Sequence, residues 1–178
     1  MRIALATMPV MSTLPPGRDP ILEARRQWRA HGWDDAAEGM AAVTSIMRAQ
    51  QLLLTHIDAL LRPFGLTFAR FELLRLLSFA HEEQMTMRRA GQRLQVHPTS
   101  LTSLAARLTK DGYVRRLANP DDGRSAILEL TTSGRDLVER ATDVLNAEVF
   151  EGIGLDEGDV ASLIGILGRF REVRGDLG

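Results

Sequence analysis

A chain of 178 residues, 44% of them hydrophobic, is long enough to bury a real core and too apolar to be a disordered tail. It contains no cysteine, which excludes disulfides, cysteine-based zinc sites and thiol switches and fits a reducing compartment. The formal net charge of −1 gives no overall bias toward nucleic acid, but its distribution is uneven: residues 86–124 carry 8 basic against 3 acidic side chains (net +5), and residues 129–178 carry 5 against 11 (net −6).

Residues 1–20, with Pro15, Pro16 and Pro20, read as a loose tail. The apolar run at 3–11 is too short for a signal peptide and is interrupted by Pro9. No run approaches the roughly 18 apolar residues that a membrane span needs, so a soluble, cytoplasmic protein without membrane contact is expected. Ile21–His31 is a short helix with Arg25, Arg26 and Arg29, ended by Gly32, and Trp28 and Trp33 are expected to be packing anchors. From Asp34 a long helix carries Met40, Val43, Ile46, Met47, Leu53, Leu54, Ile57, Leu60 and Leu61 along one stripe until Pro63-Phe64-Gly65. Unbroken, it would extend about 40 Å. Thr67 then caps a second helix, with Phe68, Phe71, Leu73, Leu74 and Leu77 inward, that ends near Ala80–Glu83.

Thr86 can cap a third, short helix reaching Leu94, with Ala90 and Leu94 inward and Arg88, Arg89 and Arg93 outward. After the turn Leu94–His97, Pro98 suits a first helical position because its missing N–H has no partner to lose there. The new helix buries Leu101, Leu104, Ala105 and Leu108, exposes Thr99, Ser100, Thr102, Ser103 and Arg107, and stops at Asp111-Gly112. Tyr113–Leu117 and Ala126–Leu130 form a β-hairpin across the turn Asn119–Gly123, with Arg124 near its tip. Short hydroxyls on an exposed helix face suit major-groove base edges, and a cation on a hairpin suits the minor groove. The pattern is a winged helix-turn-helix. Arg88 and Arg89 are candidate phosphate contacts, Thr99, Ser100, Thr102, Ser103 and Arg107 the reading face, and Arg124 the wing contact, braced by Asp122; His97 and Arg116 complete the DNA-binding set. Beyond the wing, Thr132 caps a helix from Ser133 to about Phe150, and Asp156 and Glu157 open a last helix ending at Arg169, Arg171 and Arg174.

Catalytic chemistry finds no support. There is no Gly-rich phosphate loop, nucleophile elbow, H-E-x-x-H or calcium loop, and His31, His56, His81 and His97 lie far apart. The expectation is a protein that is not an enzyme, with no cofactor and no metal.

The runs Leu108-Thr109-Lys110-Asp111-Gly112-Tyr113-Val114-Arg115-Arg116, Asp122-Gly123-Arg124-Ser125 and Leu130-Thr131-Thr132-Ser133-Gly134-Arg135, in that order and spacing, resemble the MarR family of bacterial transcription regulators. The resemblance implies a mainly α fold: a winged helix-turn-helix head over 67–131, dimerisation helices over 36–66 and 132–178, and a tail with an extra short helix over 1–35. It implies a two-fold homodimer on double-stranded DNA with an inverted-repeat operator, acting as a repressor. It also implies release by a small aromatic or phenolic effector between head and dimerisation helices, for which His56, Phe71 and Arg75 are candidates. Urate-responsive relatives carry Asn-Arg where this chain has Ser103-Leu104, so urate is not expected. The alternative function is a winged-helix module that pairs with protein and does not bind specific DNA.

Overall fold

The computed structural model describes residues 19–120 and 125–176, and the chain divides into two compact units, Met1–Thr55 and His56–Gly178. In the first, α1 (Pro20–Ala30) begins where Asp19 accepts a hydrogen bond from the Ile21 N–H at 2.8 Å. It is tied to the first turns of α2 (Asp34–Leu61) by Arg25, 3.3 Å from Glu38, and by Arg29 on the same carboxylate. Trp28 meets Trp33 edge to face at 5.2 Å and His31 stacks on Trp33 at 5.6 Å, so the tryptophans anchor the corner by ring contacts although Trp33 remains 53% exposed. Further along α2, Val43, Ile46, Met47, Leu52, Leu53 and Leu54 are all exposed. α2 is the expected long helix, roughly 42 Å at 1.5 Å per residue.

The second unit holds the core. After the end of α2, a single 3-10 turn (Arg62–Phe64) closes on Gly65, whose left-handed φ of 69° an L side chain would strain. The next helix, α3 (Phe68–Ser78), has Thr67 at its N-cap position, but the hydroxyl makes no capping bond; Asp58 Oδ1 accepts the Phe68 N–H instead, at 2.8 Å. The expected cap was right in position and wrong in chemistry, because a carboxylate arriving from α2 outcompetes the local hydroxyl. The chain then crosses a 3-10 turn, His81–Glu83, in which Glu82 and Glu83 have φ of 52° and 55°. Arg135 engages the Glu83 carboxylate, and that hydrogen-bonded contact holds the guanidinium still more firmly protonated.

The sheet has three antiparallel strands in the order β1-β3-β2, with β1 Gln84–Thr86, β2 Val114–Ala118 and β3 Ala126–Leu130. β1 lies outside the expected elements; three residues are too few to show alternation. Two helices, α4 (Met87–Leu94) and α5 (Pro98–Lys110), come between β1 and β2, and α6 (Thr132–Leu145) follows β3, continuing as one π turn over Asn146–Phe150. Leu61, Leu73, Leu74, Leu77, Leu101, Leu108, Leu128, Val138 and Leu145 are buried completely or nearly so, placing α3, α5, α6 and the sheet around one core. The last helix, α7 (Glu157–Val173), is capped by Asp156 and has no buried residue among those described.

α6 is capped by Thr131, one residue before the expected Thr132. The Thr131 hydroxyl accepts the Gly134 N–H at 3.0 Å and donates to the Gly112 carbonyl at 2.9 Å, so one side chain starts α6 and holds the exit of α5. Ser133 donates to the same carbonyl at 3.2 Å. A Cβ on Gly134 would lie 2.2 Å from the Tyr113 carbonyl oxygen, which explains the glycine in Leu130-Thr131-Thr132-Ser133-Gly134: α6 presses directly on the strand entry.

Candidate nucleic-acid interface

The reading elements are set by local chemistry first. Thr86 ends β1 and caps α4, its hydroxyl accepting the Arg89 N–H at 3.3 Å, so the sheet fixes where α4 begins and places Arg88 and Arg89, both exposed, on its first turn. At the far end Gln95 takes a left-handed φ of 53° and the Val96 N–H returns to the Gly91 carbonyl at 3.3 Å, forming the tight turn. Leu101 Cδ2 would lie 3.4 Å from a Cβ on Gly91, so α4 and α5 pack closely across that turn. His97 is the N-cap of α5: its Nδ1 accepts the Thr99 N–H at 3.3 Å.

α5 buries Leu101, Ala105 and Leu108 and exposes Thr99, Ser100, Thr102, Ser103 and Arg107 together on one face. Two of these groups are partly committed. The Thr102 hydroxyl donates to the Pro98 carbonyl at 2.9 Å, which leaves it as an acceptor, and Arg107 sits 3.7 Å from Asp111 in a long, exposed pair. On β2, alternation separates two neighbouring arginines. Arg115 donates to Glu129 at 2.7 Å and Gln84 donates to the other oxygen of that carboxylate at 3.1 Å, a ladder across all three strands. Arg116 points the other way, into a groove of about 540 Å³ shared with Arg88, Gln92, Gln95, Thr102 and Ser125, and makes no ion pair with a described carboxylate. A second groove, about 650 Å³, runs along the other side of α5 between Thr67, Arg70 and Arg107. Asp122 and Arg124, the expected wing contact and its brace, lie outside the described residues.

Among the described contacts, none joins the three candidate effector residues to one another. His56 is exposed, with Nε2 3.5 Å from the Glu148 carbonyl oxygen. Phe71 is a core residue, 5% exposed. Arg75 spends its donors on Thr142, Ser78 and the Val138 carbonyl, clamping α3 to α6. Neither groove beside α5 is lined by any of the three.

Residues 64–125 match a family model described as the MarR family. A solved MarR family transcriptional regulator from Streptomyces coelicolor, Sco5413, superposes with a TM-score of 0.72 at 42% identity, covering 79% of this chain and 97% of that one. The chain belongs to the MarR family. The HTH-type transcriptional repressor Rv2887 of Mycobacterium tuberculosis is 32% identical over 114 residues, 64% of this chain and 78% of that protein. Sco3205, a MarR family regulator from Streptomyces coelicolor solved in complex with DNA, aligns at 27% identity with a TM-score of 0.69 over 76% of this chain and 87% of that one. As a MarR family member this chain is a winged helix-turn-helix DNA-binding transcriptional regulator and not an enzyme, as its sequence led us to expect. Within it, the roles of Thr131 and Gly134 were missed from sequence, although both stand in the motif that carried the MarR resemblance; what was lacking was the Gly112 and Tyr113 carbonyls they meet.

Proposed function

We propose that this MarR protein acts as a homodimer on an inverted-repeat operator, each protomer laying α5 in a major groove with Thr99, Ser100, Thr102, Ser103 and Arg107 toward base edges. Arg88, Arg89 and Arg116 hold the phosphates beside it, and His97 sets the start of the reading helix. The observation that carries this is the contrast in charge pairing. Arg115 and Arg135 are engaged by carboxylates within the sheet and its approach, whereas Arg88, Arg89 and Arg116 around α5 make no ion pair with a described acidic group. Cations left without a carboxylate next to a hydroxyl-bearing helix face suit a phosphate backbone flanking base edges.

The dimer is supported by apolar surface left exposed among the described residues: Val43, Ile46 and Met47 on α2, and Ile164 and Ile166 on α7. A second copy covers both sets in the proposal, and its two reading helices meet half-sites roughly 34–36 Å apart. Repression is the favoured sense, by likeness to a relative named a repressor. Release by a small aromatic or phenolic acid remains part of the proposal, with His56 the exposed member of its candidate set.

Fluorescence anisotropy with DNA from upstream of the protein's own gene, followed by footprinting, tests the reading. Salt-sensitive binding with two protected half-sites is expected. Weak binding indifferent to sequence would instead favour a module that pairs with protein. A screen of aromatic acids on the footprinted complex then tests release.

A further inference from the structure

The two grooves beside α5 lie on opposite sides of its exposed face. At 100° per residue, Pro98, Leu101 and Thr102 fall on one side, toward Arg88 and Arg116, while Ser100, Ser103 and Arg107 fall on the other, toward α3. The first belongs to the interface already described. The second is lined by Thr67, Arg70, Thr99, Ser100, Ser103 and Arg107, that is, two guanidiniums and four hydroxyls, with no carboxylate in its wall. Arg70 comes from α3, outside the helix-turn-helix, and is half-buried. Its Nη1 donates to the Gly65 carbonyl at 3.0 Å, and it makes no ion pair with a described acidic residue. Glu72, the nearest acid along the chain, makes no described ion pair with it, and Asp58 is already capping α3 through Phe68.

A guanidinium has five N–H donors in a rigid fork, so one bond to a carbonyl aims the group and leaves the remaining donors for another acceptor. That acceptor should be an anion, since the wall supplies two guanidiniums and four hydroxyls and no carboxylate; Arg107 alone has a pair, the long, exposed one with Asp111 outside the wall. A duplex whose major groove receives α5 carries a phosphate strand along each edge of that groove, about 12 Å apart. In the reading of α5 given above, Arg88 and Arg116, which line one groove together, face one edge. We propose that Arg70, aimed by Gly65 and assisted by Arg107 and Thr67, grips a backbone phosphate on the other edge, so that each head holds both strands and α3 joins the DNA-binding surface. The inference rests on the reading of α5 given above.

Its test is a salt titration of Arg70→Ala and Arg70→Lys on the footprinted operator and on a random duplex of equal length, with Arg140→Ala on α6 removing the same charge elsewhere. For Arg70→Ala, affinity should fall by the same factor on both duplexes, and the slope of log K against log salt should shrink by about one unit per protomer. Arg70→Lys should restore the slope, because a point charge still releases counterions, and Arg140→Ala should leave it unchanged. An unaltered slope in Arg70→Ala would overturn the assignment, and so would a change in base preference, which would make Arg70 a reader. A fall in melting temperature that lysine does not rescue, with the slope unchanged, would reduce Arg70 to a tether for the Gly65 turn. If the wild type shows no salt-sensitive operator binding, the reading of α5 fails and Arg70 goes with it; if the wild type binds and Arg70→Ala matches it, this inference alone fails.

Discussion

At the scale of single residues, two adjacent arginines on β2 make opposite predictions. Arg115 is held by Glu129, which also receives Gln84, so Arg115→Ala loosens an exposed cross-strand contact worth no more than about 1 kcal/mol. DNA affinity and its salt slope should stay near wild type. Arg116 shares its groove with Arg88 and has no carboxylate among the described residues, so Arg116→Ala should leave the melting temperature nearly unchanged and shrink the salt slope by about one unit per protomer. Equal effects of the two substitutions in an anisotropy titration would contradict the assignment of strand faces to roles. The hydroxyls of α5 separate in a similar way. Ser103 has no hydrogen bond among the described residues, whereas Thr102 donates to Pro98 and can serve a base only as an acceptor. Ser103→Ala should therefore change the preferred bases in a competition assay while random DNA binds as before; equal weakening of both duplexes would mean that this face of α5 does not read sequence.

At the scale of elements, the junction between α5, β2 and α6 is the most constrained place in the head. Gly134→Ala would put a methyl 2.2 Å from the Tyr113 carbonyl oxygen, a backbone atom that cannot retreat as the tip of a side chain would, and 2.9 Å from Leu130 Cδ1, which is packed in the core. Either α6 lifts from the sheet or the strand entry shifts, at a cost of about 2–3 kcal/mol. Urea unfolding with an unchanged m value and a lowered midpoint is the expected result, and a midpoint within error of wild type would show that α6 sits farther out than described. Thr131→Ala removes the α6 cap and one of two hydroxyls on the Gly112 carbonyl, and should cost about 1–2 kcal/mol in the same assay. This junction also shows what could be read in advance. The bounds of α5 were legible because their signals are local: a proline at the first helical position, and a glycine at φ 80° just past the end. The cap of α6 was misplaced by one residue because Thr131 and Thr132 have the same chemistry, and the choice is made by a carbonyl 19 positions away. Arg75 shows the same limit on a site: the resemblance offered it as an effector residue, but nothing in the sequence could say that α6 would lie opposite and take up its donors.

At the scale of the molecule, α2 and α7 present a matter of apolar surface. A helix normally gains its stability by burying one stripe. Yet α7 has no buried residue among those described, with Ile164 67% exposed, and on α2 Val43 is 58% exposed. If a second copy covers these stripes, the protein should sediment at twice 19.7 kDa at tens of micromolar without DNA. Substitutions there should then act on assembly and not on the fold. Met47→Asp combined with Ile164→Asp changes side chains exposed in the single chain, so the far-ultraviolet spectrum should be retained, within the small cost of most surface changes, while two buried charges per protomer should break the dimer. DNA binding supplies a second readout. An inverted repeat held by two linked heads gains from the high effective concentration of the second head, and a monomer loses that gain while keeping its contacts to one half-site. The double variant should therefore lose most of its affinity for the full operator and little for a single half-site, with the two affinities converging. Wild-type protein that sediments as a monomer, or a monomeric variant that still prefers the full operator by the wild-type margin, would refute both the dimer and the two-half-site geometry built on it.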